Sequence, residues 1–182
     1  MSNEIKEIEK NRKNAGFDYL IIKLDHITYR VKRDERMVLI GELMNILPYH
    51  KFKNFKVIHS NAITTCIKLH DTLPVVVISE GTTDDSIVED YCQTFGSRIH
   101  HLAYLVKDTE KIVEIQKKPR IKFTTDHVIG NEEEGIKQIF TKPTSTSNHT
   151  IEYIQWFGGF DGFFTPANNS EIMESRGNLF EV

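Results

Sequence analysis

The strongest constraint on this chain is that it says one thing twice. Lys23-Leu-Asp-His-Ile-Thr-Tyr-Arg-Val-Lys32 returns 75 residues later as Arg98-Ile-His-His-Leu-Ala-Tyr-Leu-Val-Lys107. His26 falls on His101, Tyr29 on Tyr104, Val31 on Val106 and Lys32 on Lys107; with Lys23/Arg98, Leu24/Ile99 and Ile27/Leu102 conservative, seven of ten positions agree. A repeat at this spacing means two copies of one structural unit. A histidine at the same point of both copies points to a site where the copies meet, although each histidine taken singly also fits as a strand filler.

The surroundings of each copy predict the unit. From Ile21 to Val31 the pattern alternates, so Leu24, His26, Thr28 and Arg30 share one face of a strand and Ile27, Tyr29 and Val31 the other. Asp34 is placed to cap a helix carrying Ile40, Leu43, Met44 and Leu47, which Pro48 stops. Strand-like runs follow at 52–60, 62–69 and 74–79. Helix-start chemistry over 84–93, ending at Phe95-Gly96, links this to the second copy. There Arg98 to Val106 is a strand, Asp108 opens a helix that ends before Pro119, and strands are predicted near 121–128, 136–142 and 150–157, with turns at 131–135 and 143–148. The expected fold class is α+β: paired βαβββ modules forming a half-closed, mostly antiparallel β-barrel whose cup suits a small ligand. The expected organisation is a polar arm over 1–16, a first module with its connecting helix over 17–96, a second module over 97–165, and a tail over 166–182 that could act as a lid.

Composition limits the function classes. A chain of 182 residues, 39% hydrophobic and 27% charged, can bury a substantial core. Its net charge of -3 supplies no general pull toward nucleic acid or acidic membrane. The aromatic and basic interleaving at 49–56 reads as a strand with solvated lysines. No apolar run approaches a membrane span, and the charged N-terminus lacks a signal-peptide core, so a cytoplasmic protein is expected. Cys66 and Cys92 are read as reduced structural thiols.

In the last predicted strand a carboxylate, Glu152, interrupts an apolar and aromatic run. Such a group asks for a partner or a metal unless it points to water. Together, His26, His101 and Glu152 offer two imidazoles and one carboxylate from separate strands, a facial ligand set that leaves coordination positions open. His100 is placed on the opposite face from His101 and read as packing. His50, His59, His70, His127 and His149 fall near strand ends or turns and are set aside.

These motifs resemble the vicinal oxygen chelate superfamily, in which paired βαβββ modules hold one divalent metal, and within it the catalytic domain of the 4-hydroxyphenylpyruvate dioxygenases. The likeness rests on Asp25-His26, the segment 86–96 before His101-Leu-Ala103, Gln138-Ile-Phe-Thr-Lys-Pro143 and Glu152-Tyr-Ile-Gln155, and covers roughly residues 21–165. It implies His26, His101 and Glu152 as ligands of Fe(II), or of another divalent metal such as Mn, Co, Ni or Zn, with Ser79 and Gln138 lining a substrate pocket. Phe160, Phe163 and Phe164 could close over the ligand, in place of the family's own closing segment. The implied function is a non-haem iron dioxygenase acting on a small 2-oxo acid-like chelating substrate, with a homodimer expected and no nucleic-acid or membrane partner. Two alternatives stay open: a metal-dependent epimerase, isomerase or lyase of the glyoxalase or methylmalonyl-CoA epimerase type, and a non-catalytic small-molecule-binding protein. The epimerase branch adds a fourth Glu or Gln ligand, and the repeat offset places Val77 at that position, which favours three ligands.

Overall fold

In a computed structural model, which describes residues 2–117 and 121–159, the repeat becomes one continuous sheet. The arm forms α1 (Asn3–Ala15), started by Ser2, whose hydroxyl accepts from the Ile5 amide, and ended by Gly16 at φ 62°. Then follow β1 (Ile21–Val31), α2 (Arg36–Ile46), β2 (His50–Val57), β3 (Ala62–Lys68), β4 (Val75–Gly81) and α3 (Ile87–Phe95). The second module is β5 (Arg98–Val106), α4 (Thr109–Lys117), β6 (Ile129–Asn131), β7 (Ile136–Phe140) and β8 (Thr150–Trp156). The strand order is β2-β3-β4-β1-β5-β8-β7-β6. Five of the seven pairings are antiparallel, while β1–β4 and β5–β8 are parallel. Among the described residues the sheet does not close, and β2 and β6 are its edges. This is the α+β architecture of paired βαβββ units expected from the repeat.

The two faces of the sheet are covered differently. On the outer face, α2 packs through Ile40 over Val31, Ile67, Val76 and Ile78, and α4 through Ile112 and Val113 over Leu20, Val106, Ile139 and Tyr153. On the inner face, at the first module's end, α3 packs with Val57 and Ala62 through Val88, Tyr91 and Cys92. Ser86 starts α3 by accepting from the Val88 amide at 3.2 Å, and Glu89 and Asp90 in its first turn suit the positive end of the helix. Gly81 makes the approach possible: a Cβ there would lie 2.8 Å from the Cβ of Ser86. Both cysteines are buried free thiols.

Two local expectations are corrected. Asp34 does not cap α2; it sits at φ 70°, and the helix begins after Glu35 without a side-chain cap. Its start is held instead by Arg36, whose Nε donates to Glu80 Oε1 at 3.0 Å. The strand predicted over 121–128 reduces to a single bridge, Phe123 with Thr141, followed by the three-residue β6. The tail over 166–182 and Phe160, Phe163 and Phe164 lie outside the described residues.

Candidate metal centre

His26, His101 and Glu152 converge on the inner face, each with a ligand atom within 4.8 Å of the others. All three are buried, Glu152 completely. His26 Nε2 lies 3.3 Å and His101 Nε2 3.2 Å from Glu152 Oε2. The pairing register explains how residues from three strands meet. His26 on β1 stands opposite Ala103 on β5, and Ala103 stands opposite Glu152 on β8. Strands two apart are about 9.6 Å from one another, so His26 reaches Glu152 only because the intervening side chain is a methyl group. The Phe140 ring, opposite Glu152 on β7, packs edge-on against His101 with centroids 5.4 Å apart.

Each histidine is held from behind by the residue that precedes it. The β1–β5 ladder is irregular between Leu24 and His26 and again between Thr28 and Tyr29, which leaves Asp25 on β1 and His100 on β5 as extra, bulged residues. A bulge re-aims side chains. Asp25 Oδ2 lies 2.9 Å from His26 Nδ1, and His100 Nδ1 lies 2.8 Å from His101 Nδ1. Both imidazoles therefore commit Nδ1 to a neighbour and turn Nε2 toward Glu152. The alternation argument put His100 on the opposite face; the bulge instead brings it beside His101, buried, with its ring 4.9 Å from that of Tyr91 on α3.

The electrostatics follow from this enclosure. Burial lowers the pKa of His26, but the Glu152 carboxylate and the hydrogen bond to Asp25 outweigh it and raise the value to about 9. Burial raises the pKa of Glu152, but His26 and His101 outweigh it and hold the carboxyl at about 2. Two imidazole nitrogens and a carboxylate, buried together with both outer nitrogens engaged, form a donor set that fits a divalent transition metal. An ion taking the place of the His26 proton would be held by His26 Nε2, His101 Nε2 and a Glu152 oxygen.

The remaining candidates occupy the same face at greater remove. Gln138 is fully buried on β7, opposite Ile154 on β8, and neither of its amide atoms is hydrogen-bonded. Ser79 lies on β4 beyond Val77 and shares a hydrogen bond with Thr64 at 2.7 Å. Val77 itself can now be placed by register. His26 pairs with Val75 and His101 with Thr150, so two residues further along the parallel partner comes Val77 in one module and Glu152 in the other. The supporting pair Asp25 and His100, and the spacer Ala103, were missed as functional positions. Their signal was available, since Asp25 and His100 stand at the same offset as the histidines they support.

No protein-family model matches the chain, and no curated protein matches it in sequence. Solved structures do match its shape. Methylmalonyl-CoA epimerase from Mycobacterium tuberculosis aligns with a TM-score of 0.62 at 14% identity, over 78% of this chain and 92% of that one. A hypothetical protein from Bacillus halodurans aligns at 0.62 and 17%, over 77% and 98%. A Streptomyces coelicolor methylmalonyl-CoA epimerase in complex with 2-nitronate-propionyl-CoA aligns at 0.61 and 15%, over 76% and 99%. These neighbours lend no support to the 4-hydroxyphenylpyruvate dioxygenase likeness, and so none to the iron dioxygenase expectation; two of the three are epimerases. What they establish is the fold: this chain has the architecture that these three structures share.

Proposed function

We propose that the chain is a divalent-metal-dependent enzyme that holds a small substrate by two neighbouring oxygens at the His26–His101–Glu152 centre and promotes proton transfer at the adjacent carbon, as an isomerase, epimerase or lyase. The observation that carries this reading is the convergence of three buried ligand atoms within 4.8 Å, on a fold shared with methylmalonyl-CoA epimerases. The bound metal would supply Lewis acidity to the substrate's oxygens. The chain's own residues orient the ion and shape its surroundings. Asp25 and His100 fix the direction of the two imidazoles. Glu152 contributes the negative charge that offsets the ion. Ala103, Ile136 and Ile154 wall the site with apolar surface, which excludes water and strengthens each electrostatic contact. Thr28 and Thr150, opposite His101 on its two neighbouring strands, and the amide of Gln138 offer buried polar atoms to a substrate. The Cys66 thiol is pushed up to about 12 by burial and cannot serve as a base near neutrality.

A second reading, the Fe(II) dioxygenase, is favoured by Val77. An isopropyl group at the position equivalent to Glu152 leaves the ion three protein ligands and room for both a chelating substrate and dioxygen. One experiment separates the readings: the purified protein, loaded in turn with Mn, Co, Ni, Zn or Fe(II), is given panels of 2-oxo acids and branched acyl thioesters. Exchange of a substrate C–H for deuterium without oxygen supports proton transfer. Oxygen uptake with carbon dioxide release, seen only with Fe(II), supports the second reading. Metal bound with neither activity on any substrate would leave a binding protein and sink both.

A further inference from the structure

On the outer face, away from the metal centre, a cavity of about 600 Å³ opens between α1, α4 and the end of β7. Tyr153 and Ile151, which line it, alternate along β8 with Glu152 and so point to the other side of the sheet. At its floor runs a polar chain: Arg12 Nη1 donates to Gln116 Oε1 at 2.7 Å, and Gln116 Nε2 donates to the Tyr153 hydroxyl at 3.0 Å. Gln116 is 4% exposed, so this chain belongs to the interior. The walls are apolar, with Phe17 and Ile151 among them, and the Arg12 guanidinium lies 5.9 Å from the Phe17 ring centroid.

The rim is what identifies a ligand. Arg12, Lys122 and Lys142 line the cavity, and among the described residues no carboxylate does. Lys142 donates its amide to the Lys122 carbonyl at 2.8 Å, beside the Phe123–Thr141 bridge, so the two lysines stand directly opposite one another. Like charges placed that way oppose pairing. Some cations elsewhere are paired: Arg36 sits against Glu80, Lys111 against Glu114 and Lys137 against Glu110. Among the described residues neither Lys122 nor Lys142 has such a partner. A chain of net charge -3 thus gathers three cations around one apolar cavity. A small molecule with an acidic head and an apolar body satisfies both features, its head between the two lysines and Arg12, its body against Phe17 and Ile151.

We propose that this cavity is a second binding site, separate from the metal centre, for an amphipathic organic acid. The test uses decanoate and its neutral counterpart decanol, titrated calorimetrically into the full chain. Decanoate is expected to bind at least about tenfold more tightly than decanol, a difference that shrinks with added salt. The exposed double change Lys122→Ala, Lys142→Ala should weaken decanoate about tenfold and leave decanol unmoved, while Glu152→Ala should leave both unmoved. Amide shifts on binding should centre on Ile151 and Gln116. The proposal is overturned if decanoate does not bind, if decanol binds equally well, or if the lysine changes have no effect on the acid.

Discussion

The two modules use one backbone device with different side chains. In each, a bulged residue precedes the histidine and bonds its Nδ1, but it is a carboxylate in the first module, Asp25, and an imidazole in the second, His100. In each, a neighbouring strand brings a residue to the same register, but it is Val77 in the first and Glu152 in the second. Thr28 and Ala103 are equivalent too, and only Ala103 is small enough to let a side chain reach across it. The difference teaches that the repeat supplies symmetry of position, while the site depends on its violation. One carboxylate faces the centre and another stands behind it, so the charge inside the pocket stays low and one side of the centre is apolar.

The largest expected effect breaks the comparison outright. Glu152→Ala should abolish tight metal binding, while Val77→Ala should leave it unchanged. A four-ligand structural zinc site yields roughly 10–16 kcal/mol, so one ligand's share of about 3 kcal/mol corresponds to a loss above about 100-fold. Cobalt titration with circular dichroism as a fold control measures both variants. Equal losses at the two positions would show that the register equivalence carries no functional asymmetry. Ala103→Leu tests the same point sterically: it should separate His26 from Glu152 and lower metal affinity comparably, without touching a ligand.

Next in size is the charge pair that joins the modules. His26 has its pKa raised to about 9, so in the metal-free protein its contribution to stability is whole below the ordinary value near 6.5 and is lost as pH rises through 9. Glu152 has its pKa lowered to about 2, so its contribution is whole above about 4.5 and lost as pH falls through 2. Metal-free protein should therefore be most stable between about pH 4.5 and 6.5. Its Tm should then fall by about 5–10 °C by pH 9. Glu152→Gln should make the alkaline limb shallower, because His26 then gains only from Asp25. Metal affinity should run the opposite way and rise with pH over the same interval, as the His26 proton becomes easier to displace. Scanning calorimetry with and without metal measures both trends, and an alkaline limb left unchanged by Glu152→Gln would assign it to another group.

Smaller again is the contrast between the two supports. Asp25→Asn and His100→Phe should each lower metal affinity by roughly 10–100-fold. Asp25→Asn is the milder change, because the amide oxygen still accepts from Nδ1, whereas phenylalanine leaves His101 Nδ1 without that partner. Metal titrations of the two variants, with cobalt spectra to report ligand geometry, put them in order.

Much of this site was legible because it was written twice. The 75-residue offset pairs His26 with His101 and predicts the strand under each, and Glu152 stands out as a charge in an apolar run. What could not be read depends on pairing between distant segments. Period-two alternation assumes a regular ladder, so it assigned His100 to the wrong face, where only the β1–β5 register reveals a bulge. The strand expected over 121–128 has a single bridge, Phe123 with Thr141. Asp34 looked like a cap, yet α2 is anchored by Arg36 and Glu80, residues 44 apart. The role of Ala103 is a matter of distance across three strands, which no local pattern contains. Chemistry was the least legible level, since the motifs suggested a dioxygenase and the shape matches epimerases, and His26, His101 and Glu152 alone do not choose between them.

The smallest expected change in metal affinity comes from restoring the symmetry, with Val77→Glu. Val77 is 2% exposed, so a carboxylate there is costly in the metal-free protein, which should lose stability by a few kcal/mol or keep the new group protonated. If the register places position 77 as the mirror of Glu152, the added carboxylate reaches the ion from the opposite side, and metal restores the lost stability. Metal should then raise the Tm of Val77→Glu by more than it raises that of the unaltered chain, while affinity changes by less than about tenfold. The fourth ligand also occupies a position that substrate or oxygen would use. Water-proton relaxation by the Mn-loaded variant should show fewer exchanging waters than the unaltered protein. The two functional readings then diverge: proton transfer, which needs the two positions that chelate substrate, should persist in part, and an oxygen-consuming activity, which needs a further one, should disappear. A Val77→Glu protein that metal fails to restabilise would mean that the apolar side of the centre lies out of reach of the ion, and the comparison between the modules would end at the histidines.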